Sequence, residues 1–296
     1  MQIETLQVFC DLVETSSFSE AAKRNDITQS AVSQQIRSLE TKYEVVFFER
    51  GKKNFAVTPE GEIFYDSARR TLEVYNGIGD QLNALQDRIA GQLRIATIGS
   101  IGFHDLPPRV ELFRERFPEV DLVVDYKHAN AVYDEVLEGR ADLGLVAYPT
   151  TQPGIMNEVF SKERLVLACA PTHPLAGRKR IKVSDLAAHE LIAFEPDQPT
   201  RRSIDRLFRT SGVRVETHLE FDNVETVKRA LIVTEGMSIM PESSIQGEVK
   251  SGRISSARIE GGDDFWRPLG VLRRRASTTT QAMREFINLL KEEGTR

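Results

Sequence analysis

The sequence predicts a multidomain α+β protein with a helical N-terminal domain, one long connecting helix and a C-terminal α/β region in two lobes. Three observations predict this organisation. The chain has 296 residues, more than one hydrophobic core usually holds. Apolar residues recur at helical spacing through roughly the first 90 residues. From Gly91 onward, strand-like and helix-like segments alternate, as they do in α/β domains.

The composition indicates an ordinary globular protein, with 40% apolar and 28% charged residues. No apolar run reaches the roughly 18 residues of a membrane span, and the N-terminus lacks a signal-peptide pattern. We therefore expect a cytoplasmic protein without a membrane partner. Cys10 and Cys169 lie far apart, so each is expected to be a buried apolar residue rather than part of a disulfide framework.

Recognisable catalytic patterns are missing from the sequence. The segment "IGSIG" lacks the first glycine of G-x-S-x-G because Ile98 occupies that position. No dinucleotide-binding or phosphate-loop motif occurs, and the five histidines do not show metal-ligand spacing. We therefore expect neither an enzyme nor a metal or other cofactor.

Residues 1–58 are predicted to form the first domain, with a helix-turn-helix at about residues 18–37. Asn25 and Asp26 supply a turn, and Thr28 is a plausible N-cap for the helix that follows. In that second helix, Val32, Ile36 and Leu39 recur at the spacing of a buried face. Two short helices joined by such a turn are typical of a helix-turn-helix.

The outer face of this second helix carries hydroxyl and amide side chains instead of Glu and Lys. Such groups suit the mixed donors and acceptors of the DNA major groove. The following segment "VVFFERGKKNFAVT" predicts a β-hairpin with a basic tip that would lie on the DNA backbone or in the minor groove. A polar helix in a protein interaction domain is the alternative. The predicted contacts to double-stranded DNA are Thr28, Gln29, Ser30, Ser33, Gln34, Arg37, Arg50, Lys52 and Lys53.

Residues 59–90 are predicted to form one long helix, because Thr58-Pro59-Glu60 supplies an N-cap, a proline at the first position and an early acid. Its apolar residues alternate spacings of three and four, as in a coiled-coil seam. Such a stripe usually needs a partner that covers it; a core helix of a single domain is the alternative. The predicted seam residues are Tyr75, Ile78, Leu82, Leu85 and Ile89.

The remaining sequence predicts lobe I, residues 91–164 and 267–296, and lobe II, residues 165–266. A ligand site is expected between them, where three helices start. Helix N-termini with an arginine suit a small anion, such as a carboxylate, an amino acid or an inorganic oxyanion. Ordinary helix capping is the alternative for each residue. The predicted effector contacts are Ser100, Ile101, Gly102, Thr200, Arg201, Asn223 and Thr226.

A family resemblance adds to this interpretation. The pattern "FxxLxExxSFSEAAKRNDITQSAVSQQIRSLE…FFERGKKNFAVTPEG", from Phe9 to Gly61, resembles the N-terminal module of LysR-type transcriptional regulators. The downstream segments "APTHPLA" and "EGMSIMPES" also resemble stretches of that family. The matching N-terminal positions are Phe18, Ala21, Ala22, Ser30, Ala31, Val32, Ser33, Ile36, Leu39, Glu40, Phe48, Arg50, Thr58 and Gly61.

The resemblance implies a winged helix-turn-helix, a long dimerising linker helix and a two-lobed effector domain similar to a periplasmic binding protein. It further implies a homodimer or homotetramer that binds paired DNA half-sites and responds to a small-molecule effector. In similar regulators, the positions of Ser100 and Thr200 line the inducer cleft.

One departure from the family and three rival functions stay open. Tyr43-Glu44 stands where the family often has Leu-Gly, so a left-handed backbone there would cost about 1 kcal/mol relative to glycine. The rivals are a solute-binding protein, an α/β enzyme and a thiol-based redox regulator. The absent signal peptide opposes the first, and the absent catalytic motifs oppose the second. The third depends on Cys169 alone in the sensing region.

Overall fold

The computed structural model describes residues 2–50, 55–85, 88–260, 265–275 and 277–292. The chain divides into two compact units, residues 1–88 and 89–296. Across the described ranges, we find no helix that combines the length and the apolar character needed to cross a membrane.

The first unit is a helix-turn-helix followed by a short antiparallel hairpin. The predicted motif is present: α2 (Phe18–Arg24) and α3 (Gln29–Tyr43) are its two helices, and β1 (Phe48–Arg50) pairs with β2 (Phe55–Val57) as the wing. Its core centres on Phe9, whose ring lies 5.2 Å from that of Phe47 and 4.7 Å from that of Phe64. The elements are α1 (Ile3–Thr15), α2 (Phe18–Arg24), α3 (Gln29–Tyr43), β1 (Phe48–Arg50), β2 (Phe55–Val57) and α4 (Pro59–Leu85).

Helix α3 ends on a left-handed residue, Glu44, with φ 57° and ψ 37°. This is the position at which the sequence departs from the family's glycine. We expect Glu44→Gly to raise the free energy of unfolding by about 1 kcal/mol, because glycine adopts this conformation without steric cost. Urea unfolding of the full-length chain measures the change.

A glycine at exposed Thr41, inside the last turn of α3, is the matched control. Glycine in a helix costs about 1 kcal/mol, so Thr41→Gly should destabilise the chain. If both variants lose stability, the left-handed residue is not the source of strain that we infer.

Helix α4 begins as predicted but is shorter than predicted. The Thr58 hydroxyl accepts a hydrogen bond from Gly61 N at 3.1 Å and donates to Val46 O at 2.7 Å, which joins the helix start to the winged domain. The described helix ends at Leu85, and residues 88–90 are not helical. Ile89 was therefore wrongly assigned to the seam, since its side chain packs against the core of the second unit instead.

An apolar stripe remains on the surface of α4. We define the stripe as Val74, Tyr75, Ile78 and Leu82, which are 73%, 51%, 51% and 57% exposed, respectively. Full burial of an aliphatic side chain such as Val74, Ile78 or Leu82 stabilises a protein by about 1.5–3 kcal/mol. The stripe is therefore a surface that favours association.

The second unit alternates strands and helices, as the sequence predicts. The last two elements of the chain are β12 (Trp266–Arg274) and α11 (Gln281–Lys291). The preceding elements are β3 (Gly91–Thr97), α5 (Gly99–Gly102), α6 (Pro107–Arg116), β4 (Val120–Tyr126), α7 (Ala129–Leu137), β5 (Leu143–Ala147), β6 (Ile155–Cys169), β7 (Arg180–Lys182), β8 (Leu191–Phe194), α8 (Pro199–Thr210), β9 (Thr217–Phe221), α9 (Val224–Thr234), β10 (Met237–Pro241), α10 (Gln246–Lys250) and β11 (Ser255–Glu260).

Strand β6 belongs to two groups of strands, which form the two lobes. Its residues up to Arg164 pair with β12 in lobe I, whose strand order is β4-β3-β5-β12-β6. From Leu165 onward it pairs with β10 in lobe II, whose order is β6-β10-β8-β9. Helix α11 packs on lobe I, where the ring of Phe286 lies 5.1 Å from that of Phe113. The last strand and helix thus complete the first lobe.

Candidate DNA-recognition face and ligand cleft

The outer face of α3 is exposed, whereas its inner face is fully buried. Val32 and Ile36 are 0% exposed and hold the helix against α1 and α2. On the opposite side, Gln29, Ser30, Gln34 and Arg37 are exposed. We define these four residues, together with half-buried Ser33, as the recognition face.

Thr28 lies at the start of this face and is occupied within the protein. Its hydroxyl accepts a hydrogen bond from Ala31 N at 3.2 Å and lies 2.9 Å from the hydroxyl of Ser30. The residue thus serves first as the predicted N-cap, which leaves its methyl group and the first amides of α3 for a partner.

The wing is present but its basic tip is not described. Strands β1 and β2 pair from Phe48 with Val57 to Arg50 with Phe55. The predicted DNA contacts Lys52 and Lys53 lie outside the described residues. Their role therefore stays a prediction from the sequence.

Helix α4 is fixed to the winged domain by a polar cluster as well as by its core. Arg69, which is 9% exposed, places Nη1 2.7 Å from a carboxylate oxygen of Glu14 on α1. The Tyr65 hydroxyl donates to the same oxygen at 3.1 Å. Because Glu14 on α1 is hydrogen-bonded by two side chains of α4, the direction of α4 is tied to that of the winged domain.

A cavity of about 280 Å³ lies between the two lobes of the second unit. Lobe I contributes Ser100 and the start of α7 at His128, and lobe II contributes Gln198 and Thr200 at the start of α8. Neither His128 nor Gln198 caps its helix through a side-chain hydrogen bond to a described residue. The first amides of α7, and those that follow Pro199 in α8, are thus available donors beside the cavity.

Three of the predicted effector residues line this cavity: Ser100, Thr200 and Asn223. Asn223 also acts as the N-cap of α9, because its side-chain oxygen accepts from Thr226 N at 2.9 Å. The Thr226 hydroxyl lies 3.0 Å from the same oxygen. Thr226 therefore supports the cap and does not line the cavity, contrary to our prediction.

Ile101 and Gly102 were also predicted at the cleft and belong to the packing of lobe I instead. Ile101 is 1% exposed within the hydrophobic core. A Cβ at Gly102 would lie 2.4 Å from the ring of Tyr126, so the glycine permits a close approach between α5 and β4. Neither lines the cavity between the lobes.

Arg201 was predicted to bind an anion in the cleft, and the structure assigns it a different role. Its guanidinium lies 2.7 Å from a Glu220 carboxylate oxygen and 2.9 Å from one of Asp205, and it donates to Phe194 O. The residue is 9% exposed and does not line the cavity. Two carboxylates already satisfy it, so it joins α8 to β9 within lobe II.

The cleft instead contains an arginine that the sequence interpretation missed. Arg267 is 2% exposed, lines the cavity and donates from Nη1 to the Ser100 hydroxyl at 3.1 Å. Its cross-strand partner Glu163 is 7% exposed, and the two charged groups approach to 2.8 Å. In the sequence, the only indication of this role was that Arg267 begins a predicted apolar strand. Nothing in the sequence indicated that Glu163 is its partner.

The cavity rim carries carboxylates, most of which are exposed or paired. Glu195, Asp197 and Asp222 are exposed there. Glu225 lies 2.9 Å from His104 Nε2 across the cleft and 2.9 Å from Lys228 Nζ. Exposed carboxylates thus line the cavity together with the hydroxyl of Ser100 and the buried Thr200 and Arg267.

Both thiols are unsuited to redox sensing. Cys10 and Cys169 are free, and they are 2% and 1% exposed. Burial raises the pKa of the Cys10 thiol to about 12 and that of the Cys169 thiol to about 11. Since the thiolate is the reactive form, both groups are inert at neutral pH. This opposes the thiol-based rival.

Comparison with known proteins gives a family for each unit. Residues 3–62 match the family described as a bacterial regulatory helix-turn-helix protein of the lysR family. Residues 86–295 match the LysR substrate binding domain. The resemblance that we drew from the sequence is thus confirmed over both units.

Similar curated proteins are transcriptional regulators. The regulator CysL of Bacillus subtilis is 28% identical, over 98% of this chain and 97% of its own length. An uncharacterised helix-turn-helix-type regulator of Methanocaldococcus jannaschii is 30% identical, over 96% and 97%. A RuBisCO operon transcriptional regulator of Allochromatium vinosum is 27% identical, over 97% and 95%.

Solved structures confirm the fold. A full-length OxyR variant from Pseudomonas aeruginosa has a TM-score of 0.77 at 20% identity and covers 99% of this chain and 98% of its own. CbnR, a LysR family transcriptional regulator, has a TM-score of 0.69 at 23% identity and covers 98% of both chains. Full-length CbnR in complex with its target DNA has a TM-score of 0.61 at 24% identity, over 98% and 99%.

Proposed function

This chain belongs to the LysR family of DNA-binding transcriptional regulators, and we propose from that premise that it reads operator DNA with the recognition face and senses a small anionic metabolite in the cleft. The family is regulatory and not enzymatic. We further propose that it acts in the cytoplasm as a homodimer or homotetramer.

The exposed hydroxyl and amide side chains of α3 carry the DNA part of the proposal. A helix that needed only solubility would present mostly charged side chains, whereas this one presents Ser30 and Gln34 beside a single charged residue, Arg37. These groups can contact base edges in the major groove, where each good pair contributes about 1–3 kcal/mol of discrimination. The complex of similar CbnR with target DNA also supports the proposal.

The stripe on α4 supports the proposed dimer. Two copies that cover each other's stripe would remove four large apolar side chains per chain from water. Because α4 is fixed to the winged domain, such pairing would also set the spacing of two recognition faces. A roughly palindromic operator with half-sites about one helical turn apart is the expected target.

The hydrogen-bond donors beside the cleft support an anionic ligand. Amides at the starts of α7 and α8 would face a negative group, and the hydroxyls of Ser100 and Thr200 can donate to it. The cavity of about 280 Å³ suits a metabolite of small size. Closure of the lobes around the ligand would favour one arrangement of the DNA-binding domains and change the DNA bend.

A thermal-shift screen of small carboxylates, amino acids and inorganic oxyanions tests the ligand class. A ligand that binds only the native state raises the melting temperature, by an amount set by its concentration relative to Kd. We expect anions to raise it and uncharged or cationic analogues to leave it unchanged. Stabilisation by a cation or a neutral sugar, with none by anions, would contradict the proposed ligand class. The proposal that the recognition face binds DNA would still stand.

A further inference from the structure

We propose that Arg267 is the buried charge that holds the anionic group of the ligand, and that Glu163 is an internal counter-ion that the ligand partly replaces. This inference rests on the proposed anionic ligand. It assigns the specificity of the cleft to one ion pair, formed where the chain passes between lobes.

The position of the pair is the first argument. Glu163 and Arg267 are cross-strand partners in β6 and β12, next to the point at which β6 changes from lobe I pairing to lobe II pairing. Arg267 donates to the Ser100 hydroxyl on lobe I. Glu163 accepts from the Ser243 hydroxyl, which lies directly after β10 of lobe II. The pair therefore contacts both lobes at the hinge.

Unused donor capacity is the second argument. Buried polar groups in proteins are nearly always hydrogen-bonded. Among the described residues, however, the buried Nε of Arg267 has no hydrogen-bond partner, and the buried Nη2 makes only an ion-pair contact with Glu163. The Oε2 atom of Glu163, 2.8 Å from Nη2, lies out of hydrogen-bond alignment and also lacks a bond. A guanidinium with unused donors suits a carboxylate or oxyanion, which it binds in a two-pronged manner.

The local charge is the third argument. Arg267 lines the cavity and Glu163 does not, so the carboxylate reduces the positive potential from outside the ligand's position. Removing that carboxylate should leave the cation unbalanced at the cavity wall. Two charges in close contact interact more strongly in a protein interior than in water. Removing the negative charge of Glu163 should therefore raise the affinity of the cavity for an anion.

Three variants test the ion pair: Glu163→Gln, Arg267→Gln with Glu163→Gln, and Arg202→Gln. The double variant removes both charges at once, because Arg267→Gln alone would leave a buried, unpaired carboxylate and destabilise the fold. Arg202→Gln loses one cation from an exposed position of α8 outside the cavity lining and is the matched control. Isothermal titration of each full-length protein uses sulfate, phosphate, acetate and oxalate at fixed ionic strength.

For the anion that the wild type binds best, we expect Glu163→Gln to bind about tenfold more tightly. The double variant should bind at least about tenfold more weakly than Glu163→Gln, and Arg202→Gln should match the wild type. Thermal unfolding without anion verifies that each variant is folded.

Two results would overturn the inference, and they separate it from the proposed function. If an anion binds the wild type, and Glu163→Gln and the double variant bind that anion equally well, the anionic ligand stands and the role of Arg267 is refuted. If no panel anion binds either the wild type or Glu163→Gln, the proposed ligand class itself fails, and the inference fails with it.

Discussion

Ile78→Asp and Leu82→Asp are each expected to convert the proposed dimer to a monomer and to weaken operator binding by about 10²–10⁴-fold. Both side chains belong to the stripe, where they are 51% and 57% exposed. A carboxylate at the centre of an apolar interface loses its hydration without gaining a partner. Analytical ultracentrifugation measures the assembly state, and a mobility-shift titration measures operator affinity.

The large effect on DNA follows from the linkage of two recognition faces. When two binding modules are joined, the second contact forms at high effective concentration, which increases affinity by about 10²–10⁴-fold over a single module. Helix α4 is joined to the winged domain by the hydrogen bond of Thr58 and by the ion pair of Glu14 and Arg69. If the two copies no longer pair through the stripe, each recognition face would bind its half-site alone, although neither face is altered.

Asn76→Asp is the matched control for these substitutions. It adds the same negative charge at an exposed position of α4, roughly a third of a turn away from the stripe. We expect it to leave assembly and operator affinity close to those of the wild type. A dimeric Leu82→Asp protein with normal affinity would show that the stripe is not the interface.

The winged domain could be predicted largely from the sequence because its determinants are local. The N-cap at Thr28 and the buried spacing of Val32 and Ile36 lie within one helix, and the structure has both features. The end of α4 could not be predicted in this way. Ile89 continues the seam spacing, yet its contacts are with the core of the second unit, which a helical repeat does not reveal.

The cleft was predicted less well because its charges are paired over long distances. Arg201 lies near a helix start, where a residue that binds an anion is expected, but Glu220 on a neighbouring strand already pairs with it. Arg267 lies at the cavity because β12 returns beside β6, where it meets Glu163. Spacing along the chain identifies helix starts such as Thr200. Which arginine faces the cavity depends on strand pairing.

Gln34→Ala and Arg37→Ala are each expected to weaken specific operator binding by about 1–3 kcal/mol, or roughly 5- to 150-fold, and to relax sequence choice. Both side chains are exposed on the recognition face, so their truncation should leave the stability of the fold unchanged. Ser33→Ala should act in the same direction. Mobility shifts with the operator and with scrambled DNA of equal length give the specificity ratio.

Lys53→Ala, between β1 and β2 in the sequence and outside the described residues, is the contrasting variant. A phosphate contact carries no sequence information, so its loss should weaken operator and scrambled DNA about equally and reduce the salt dependence of binding. The two classes of variant therefore separate base contacts from backbone contacts within one domain. Equal losses on both DNAs for Gln34→Ala would make Gln34 a backbone contact and would contradict base reading by this side chain. Unchanged affinity for both DNAs in Gln34→Ala, Arg37→Ala and Ser33→Ala would remove α3 from the DNA interface.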